Sequence, residues 1–160
     1  MPEFKIHPLA CGGGILALSP MPGRTRHYGT DWQRLLDWAP DLVITMTTLH
    51  ELARKEAGSL GPDLAAVGIA WQHMPVDDFG TPTEEVTDKW PGVASEALTV
   101  LGQGGRVLIH CYGGCGRSGM AVLRLMIAAG EAADAALARL RDMRPCAVET
   151  PEQLHWATGF

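Results

Sequence analysis

An α/β fold, a single domain with a central, mostly parallel sheet flanked by helices, is predicted by three features of the sequence. Short apolar runs that suit buried strands, Leu42-Val43-Ile44 and Val107-Leu108-Ile109, alternate with stretches of helical periodicity. The connections between them are short and carry Gly and Pro. The chain has 160 residues, 46% of them hydrophobic, which suits one domain over residues 1–160 with a single core.

Residues 4–19 read as two short strands split by Cys11-Gly12-Gly13-Gly14. Residues 31–39 form an amphipathic helix with Trp32, Leu35, Leu36 and Ala39 on one face and Pro40 as its stop; these are core positions. A strand follows over 41–46. Thr48-Leu49-His50-Glu51 has capping-box spacing and opens a helix that Gly58 closes. A further short helix over 62–67 leads into a strand over 69–76. Residues 83–89 are polar and read as loop, and Pro91 suits the first position of a helix running to Leu101, with Val93, Ala97 and Val100 or Leu101 inward. Gly102, Gly104 and Gly105 then turn the chain into the strand at Arg106. Residues 119–129 are apolar nearly all round, as in a helix at the centre of a domain. The helix over 131–143 turns Ala133, Leu137 and Leu140 inward, and Arg139, Arg141 and Arg144 complement its C-terminal dipole. Residues 146–151 lead to a short final helix bearing Gln153, Leu154 and Trp156.

The chemistry concentrates at Arg106 to Gly119, RVLIHCYGGCGRSG. A strand ends at His110 and Cys111, a loop of Tyr112, Gly113, Gly114, Cys115 and Gly116 follows, and Arg117 and Ser118 open a helix. Backbone N–H groups in such a turn point inward together, and the helix N-terminus adds its positive end, so the loop can cradle a dianionic phosphate. A cysteine over that cradle has its thiolate stabilised and becomes a nucleophile. Arg117 supplies a planar fork for two phosphate oxygens, and Ser118 can hydrogen-bond the sulfur as it leaves. A nucleotide-binding P-loop is excluded, because no Gly-Lys-Ser/Thr follows Gly116.

The stretch HCYGGCGRS resembles the His-Cys, five residues, Arg, Ser/Thr motif of the cysteine-dependent protein tyrosine phosphatases. From about residue 22 onward the chain is similar to their small dual-specificity group, above all the kinase-associated phosphatase (cyclin-dependent kinase inhibitor 3) type. The resemblance implies a dual-specificity phosphatase-like fold and a phosphocysteine intermediate. It also implies that His110 orients the loop through hydrogen bonds.

A cysteine phosphatase needs an acid near the cradle to protonate the departing oxygen. Asp78-Phe79-Gly80-Thr81-Pro82 resembles the family's Asp-x-Gly-x-Pro acid loop, which assigns Asp78. In an extended chain only one of Asp77 and Asp78 can reach the loop; the charge of the other disfavours ionisation of its neighbour. The resemblance also matches Gln153 to a glutamine that places the hydrolytic water, although a surface glutamine in a first helical turn fits the sequence equally well.

Composition sets the remaining bounds. A formal charge of −5 gives no general affinity for nucleic acid or acidic membranes, so an anion site must be local. The first residues, MPEFKIHPLA, carry no long apolar run, and a cytoplasmic protein is expected. Cysteines 11, 111, 115 and 146 lack the paired spacing of a disulfide framework or zinc site, which suggests a reducing compartment. Cys115 is expected to fill the loop floor as a small apolar residue; a transient disulfide with Cys111 is the alternative. His7, His27, His50, His73 and His155 show no ligand spacing, so no metal is expected, and a phosphocysteine mechanism needs no cofactor.

The loop residues 112–116 include no lysine or arginine of the kind that grips a polyphosphorylated inositide. This favours a phosphoprotein or phosphopeptide substrate, phosphotyrosine first and phosphoserine or phosphothreonine second, acted on by a monomer. A small phosphorylated metabolite or an inositide stays open as substrate. Two other classes share parts of the pattern: a sulfur-transferring rhodanese, which would not require both Arg117 and Asp78, and a non-catalytic phosphoprotein-binding module, which typically lacks the cysteine or the acid that this chain keeps.

Overall fold

The central strands are apolar along nearly their whole length because helices cover both of their faces. In the computed structural model, which describes residues 3–159, five strands make one sheet. They are β1 (His7–Cys11), β2 (Gly14–Ser19), β3 (Leu42–Thr45), β4 (Ala70–His73) and β5 (Arg106–His110), in the spatial order β1-β2-β5-β3-β4. Only β1 runs antiparallel to its neighbour; the other three neighbouring pairs are parallel. Seven helices complete the described residues: α1 (Tyr28–Trp38), α2 (Leu49–Arg54), α3 (Leu60–Ala66), α4 (Glu84–Gly102), α5 (Gly116–Ala128), α6 (Ala133–Met143) and α7 (Pro151–Thr158).

Successive strand residues alternate between two cores, as the two-residue period of a strand demands. Leu16, Leu18, Leu42, Ile44, Val107 and Ile109 pack with residues of α4, α5, α6 and α7. Ala17, Val43 and Leu108 pack on the other face with Leu35 of α1, Leu52 of α2 and Leu60 and Leu64 of α3. Parallel strands covered on both faces read as continuous apolar runs, which is why β3 and β5 were legible. At their carboxyl ends the apolar layers give way to a polar row: His110 is paired to Ser19 on one side and Thr45 on the other, all three fully buried. The next residue is Cys111.

Helix α4 departs from the sequence expectation. Pro91 lies inside it, and the first two turns occupy residues expected to be loop. The start signals precede Pro91: the Thr83 side chain accepts from the Val86 N–H at 3.3 Å, and Glu84 and Glu85 complement the dipole in the first turn. Proline costs one backbone hydrogen bond there. Burial of Trp90, Val93, Ala97 and Leu101 along one stripe offsets it, with Trp90 edge-on to Trp156 at 5.3 Å. No helix among the described residues is long and apolar enough to cross a membrane.

The start of β2 passes so close to α4 that only glycine fits. A Cβ on Gly14 would lie within 2.8 Å of the Leu101 carbonyl oxygen, and nearer still to that of Gly105. Both obstacles are backbone and cannot rotate away. Gly14→Ala should therefore lower the free energy of unfolding by at least about 2 kcal/mol. Urea denaturation checks this, and a change under about 0.5 kcal/mol would contradict it.

Candidate active site

The cradle predicted between a strand and a helix is formed by the end of β5, residues 111–115 and the start of α5. Every carbonyl of the loop is held from outside. The Cys111 oxygen faces His110 Nδ1 at 3.2 Å, and the Tyr112 oxygen accepts from the Met21 N–H at 3.1 Å. Arg144 donates through its Nη2 to the Gly113 oxygen at 3.1 Å and through its Nε to that of Gly114 at 3.0 Å. The Cys115 oxygen accepts from the Gly119 and Val148 N–H groups. In a trans peptide the N–H points opposite to the C=O, so carbonyls held outward turn the following amides inward. Arg144, expected only to complement a helix dipole, thus braces the loop.

The three loop glycines have different reasons to be glycine. Gly114 takes φ +74°, and a Cβ there would lie 2.6 Å from the Pro20 nitrogen. At Gly116 a Cβ would collide with the side chains of Glu149 and Gln153. Gly113 has open space around it, with only Arg24 at 4.0 Å.

Cys111 is buried, 3% exposed, with its Sγ 3.2 Å from the buried Ser118 hydroxyl. With the sulfur as thiolate the hydroxyl is the donor. His110 is fully buried, and its pKa is pushed down to about 4. Burial is the main cause; the bond to the Cys111 carbonyl opposes it, and the Arg117 charge adds to it. His110 is therefore neutral at physiological pH.

Arg117 is 1% exposed and lies between two carboxylates. Its Nη1 donates to Glu51 Oε2 at 2.8 Å and to the Val76 carbonyl at 2.8 Å, its Nη2 donates to Glu51 Oε1 at 2.9 Å, and the same Nη2 lies 3.3 Å from Asp78 Oδ1. Burial would lower the Arg117 pKa, but the hydrogen bond to Glu51 and the charges of Cys111, Glu51 and Asp78 carry it above its ordinary value. Burial likewise pushes Glu51 up, and the bonds from Arg117 and Thr48 overcome it, holding the carboxyl below its ordinary range. The Arg117 Nε is buried and has no partner among the described residues.

Sequence reasoning missed Glu51 as a site residue, although its signal was on the page. The capping box at Thr48 exists: Thr48 Oγ1 accepts from the Glu51 N–H at 3.3 Å, and Glu51 Oε2 accepts from the Thr48 N–H at 2.8 Å. That bond fixes the carboxylate rotamer, and the same oxygen meets Arg117. Asp78, half-exposed at the loop beyond Val76, is the member of the acidic pair brought to Arg117, and its Oδ1 also accepts from the Phe79 N–H at 3.0 Å. Asp77 is exposed, and its backbone carbonyl closes the turn to Gly80 at 2.8 Å.

Gln153 is no surface residue. It is fully buried at the third position of α7, where its Oε1 accepts from the Glu149 and Thr150 N–H groups and its Nε2 donates to the Gly80 carbonyl at 3.1 Å. It ties the Asp78 loop to α7 beside Gly116.

The cysteine reading requires correction. Cys115 neither fills the loop floor nor faces Cys111; it forms a disulfide with Cys146, leaving Cys11 and Cys111 as free thiols. The partners are 31 residues apart, a separation that no spacing rule flags, and α5 and α6 fold back to bring their Cα atoms within 5.2 Å. The cysteine count is accordingly no argument for a reducing compartment. The bond fastens the cradle to the segment carrying Arg144 and Val148. Among the described residues no group of three or more His, Cys, Asp or Glu could hold a metal ion.

With this geometry the chain belongs to the protein tyrosine and dual-specificity phosphatases. A family model described as "Polymorphic toxin system, DSP-PTPase phosphatase" matches residues 20–131. Cyclin-dependent kinase inhibitor 3 of Mus musculus is 30% identical over 153 residues, which span 91% of this chain and 71% of that protein. Tyrosine-protein phosphatase CDC14 of Candida albicans is 34% identical over 84 residues, 52% of this chain and 15% of that one. The crystal structure of a kinase-associated phosphatase with serine at its catalytic-site cysteine has a TM-score of 0.84 and 25% identity, covering 100% of this chain and 95% of that chain.

An unfolded histidine titrates near 6.5 and His110 near 4, so the unfolded state binds the extra proton between these values. The stability this group contributes is complete above about pH 6.5 and is lost as pH falls towards 4, amounting to about 3 kcal/mol. Urea denaturation at stepped pH should show the fall, and His110→Asn should flatten that part of the curve. The disulfide predicts two free thiols, not four, in the denatured and unreduced chain. Cys146→Ser should lower stability by about 2–4 kcal/mol; four reactive thiols in the unaltered chain would contradict the pairing.

Proposed function

We propose that this chain hydrolyses phosphotyrosine in proteins or peptides, with phosphoserine and phosphothreonine as the second class, through a phosphocysteine at Cys111. The observation that carries this reading is the buried Arg117, whose Nε has no partner among the described residues while its other nitrogens are anchored by Glu51 and Val76. A buried, unpaired donor is costly unless a ligand completes it, and a phosphoryl oxygen fits its charge and planar geometry.

In the first step the Cys111 thiolate forms an S–P bond while the P–O bond to the leaving group breaks, and Asp78, protonated and released from its ion pair with Arg117, gives its proton to the departing oxygen. The amides of residues 112–117 and Arg117 take up the charge on the equatorial oxygens. In the second step water attacks phosphorus, Asp78 accepts its proton, and the S–P bond breaks to restore the thiolate with the Ser118 hydroxyl donating to it. Gln153 serves this cycle by holding the acid loop through the Gly80 carbonyl, and its amide can place the water once that loop shifts. No cofactor enters.

The preference for a phosphoprotein rests on the rim of the site. Loop residues 112–116 bring no cationic side chain. Leu49 and Phe79 are exposed at 68% and 61%, one near Glu51 and the other adjoining Asp78. Exposed apolar groups on the segments that carry Glu51 and Asp78 suit an aryl phosphate and its flanking peptide better than a polyhydroxylated ring.

The test is hydrolysis of p-nitrophenyl phosphate and of phosphotyrosine and phosphothreonine peptides against pH, with reductant gentle enough to spare the disulfide. Cys111→Ser should abolish turnover, Asp78→Asn should remove the basic limb of the profile with a loss of about 100-fold or more, and Asp77→Asn should change little. Phosphopeptide binding without turnover by the unaltered chain would favour a binding module. Faster turnover of an inositide than of any phosphopeptide would overturn the substrate assignment.

A further inference from the structure

We infer that Trp71 is a positioning residue for the cradle: its indole N–H, acting through the Thr45 hydroxyl, fixes the His110 tautomer and thereby turns the first cradle amide towards the Cys111 sulfur. Only the consequence for turnover rests on the phosphatase mechanism proposed above. Trp71 sits on β4, the edge strand, two strands away from Cys111.

Trp71 Nε1 can only donate, and it donates to Thr45 Oγ1 at 2.7 Å. Thr45 is fully buried, and its Oγ1 also lies 2.7 Å from His110 Nε2. With one oxygen position taken by the indole, the single hydroxyl proton goes to Nε2, the other partner within reach. His110 Nε2 is therefore the lone-pair nitrogen, and Nδ1 carries the proton and donates to the Cys111 carbonyl at 3.2 Å. The opposite tautomer would leave the Thr45 proton without an acceptor and set a lone pair against the Cys111 oxygen. Two buried unsatisfied contacts make that arrangement unfavourable. Protonating both nitrogens strands the same hydroxyl proton, in keeping with a histidine that burial keeps neutral.

The consequence reaches the sulfur through one peptide plane. With the Cys111 C=O held towards His110, the Tyr112 N–H of the same trans peptide points away from it, into the cradle. Tyr112 N–H is the first amide after the nucleophile, so its direction bears on thiolate stabilisation and on the phosphate.

Trp71 is itself held in place. Its ring stacks on His73 with centroids 5.4 Å apart. From α3, Gly61 approaches so closely that a Cβ would lie 2.7 Å from Trp71 Cζ3. Sheet register, a stacking partner and a close helix together aim one N–H at Thr45.

The test uses the full chain with its disulfide intact and three variants. Trp71→Phe keeps a ring but removes the donor, Thr45→Val keeps the shape but removes the hydroxyl, and Thr45→Ser keeps the hydroxyl. Imidazole nitrogen NMR reads the His110 tautomer. Peptide mass spectrometry reads alkylation of Cys111 by iodoacetamide against pH, and Cys11, whose thiol burial pushes up to about 11, serves as the unresponsive control. The unaltered chain and Thr45→Ser should show the proton on Nδ1. Trp71→Phe and Thr45→Val should lower the share of the Nδ1-protonated form without abolishing it, because the Cys111 carbonyl still favours that tautomer, and should show an alkylation midpoint higher by roughly half a pH unit and kcat/KM lower by about fivefold to tenfold. If Trp71→Phe fails to fold, Thr45→Val carries the same readouts. A folded Trp71→Phe or Thr45→Val that keeps the parent tautomer and alkylation profile would overturn the inference, whatever its turnover. Inactivity of the unaltered chain would overturn the mechanism proposed above and leave the tautomer and alkylation results standing.

Discussion

One buried cation organises this molecule. Arg117 is withdrawn from water at the head of α5, where an uncompensated guanidinium would cost several kcal/mol. Glu51 compensates it from one direction through two hydrogen bonds, and the Val76 carbonyl and Asp78 do so from another. Those partners come from α2 and from the segment after β4, so two distant parts of the chain converge on a side chain carried by a third. The pair at Glu51 leaves the guanidinium oriented and the Nε free for a ligand. That is a costly arrangement for stability alone, and it makes sense when an anion completes it.

The cradle obeys the same economy in reverse. Its amides can point inward only because its carbonyls are satisfied outward, and each has a named donor: His110, the Met21 N–H, two nitrogens of Arg144, and the amides of Gly119 and Val148. The disulfide from Cys115 to Cys146 fastens the loop to the stretch from which Arg144 and Val148 act. Rigidity of this kind is what electrostatic stabilisation of a phosphoryl transition state requires, since donors already in place need not reorganise during the reaction. The Asp78 loop is tied less tightly, through one bond from Gln153 to the Gly80 carbonyl and one contact of Asp78 with Arg117.

What the sequence made legible was local chemistry and strand burial. HCYGGCGRS announces its loop because strand, turn, nucleophile and helix start are contiguous, and the apolar runs of β3 and β5 announce strands covered on both faces. What stayed hidden depends on distant parts of the chain meeting. Glu51 was visible as a cap, but its contact with Arg117 requires α2 to be packed at the sheet end. Cys115 and Cys146 had no pattern to give them away, and Arg144 looked like a dipole partner until α6 placed it under the loop. Pro91 misled because a common rule for proline was applied where stronger start signals lay at Thr83, and burial of the Trp90 stripe overrides the lost bond.

The proposed mechanism requires the phosphoryl group to pass through Cys111. Rapid acid quenching of the unaltered chain during turnover of a phosphotyrosine peptide, followed by mass spectrometry of its proteolytic fragments, tests this most directly. The account predicts one phosphoryl group on the fragment bearing Cys111, and none there when Cys111 is serine and turnover has stopped. A phosphoryl group on any other residue, or turnover that survives the loss of the Cys111 thiol, would contradict it.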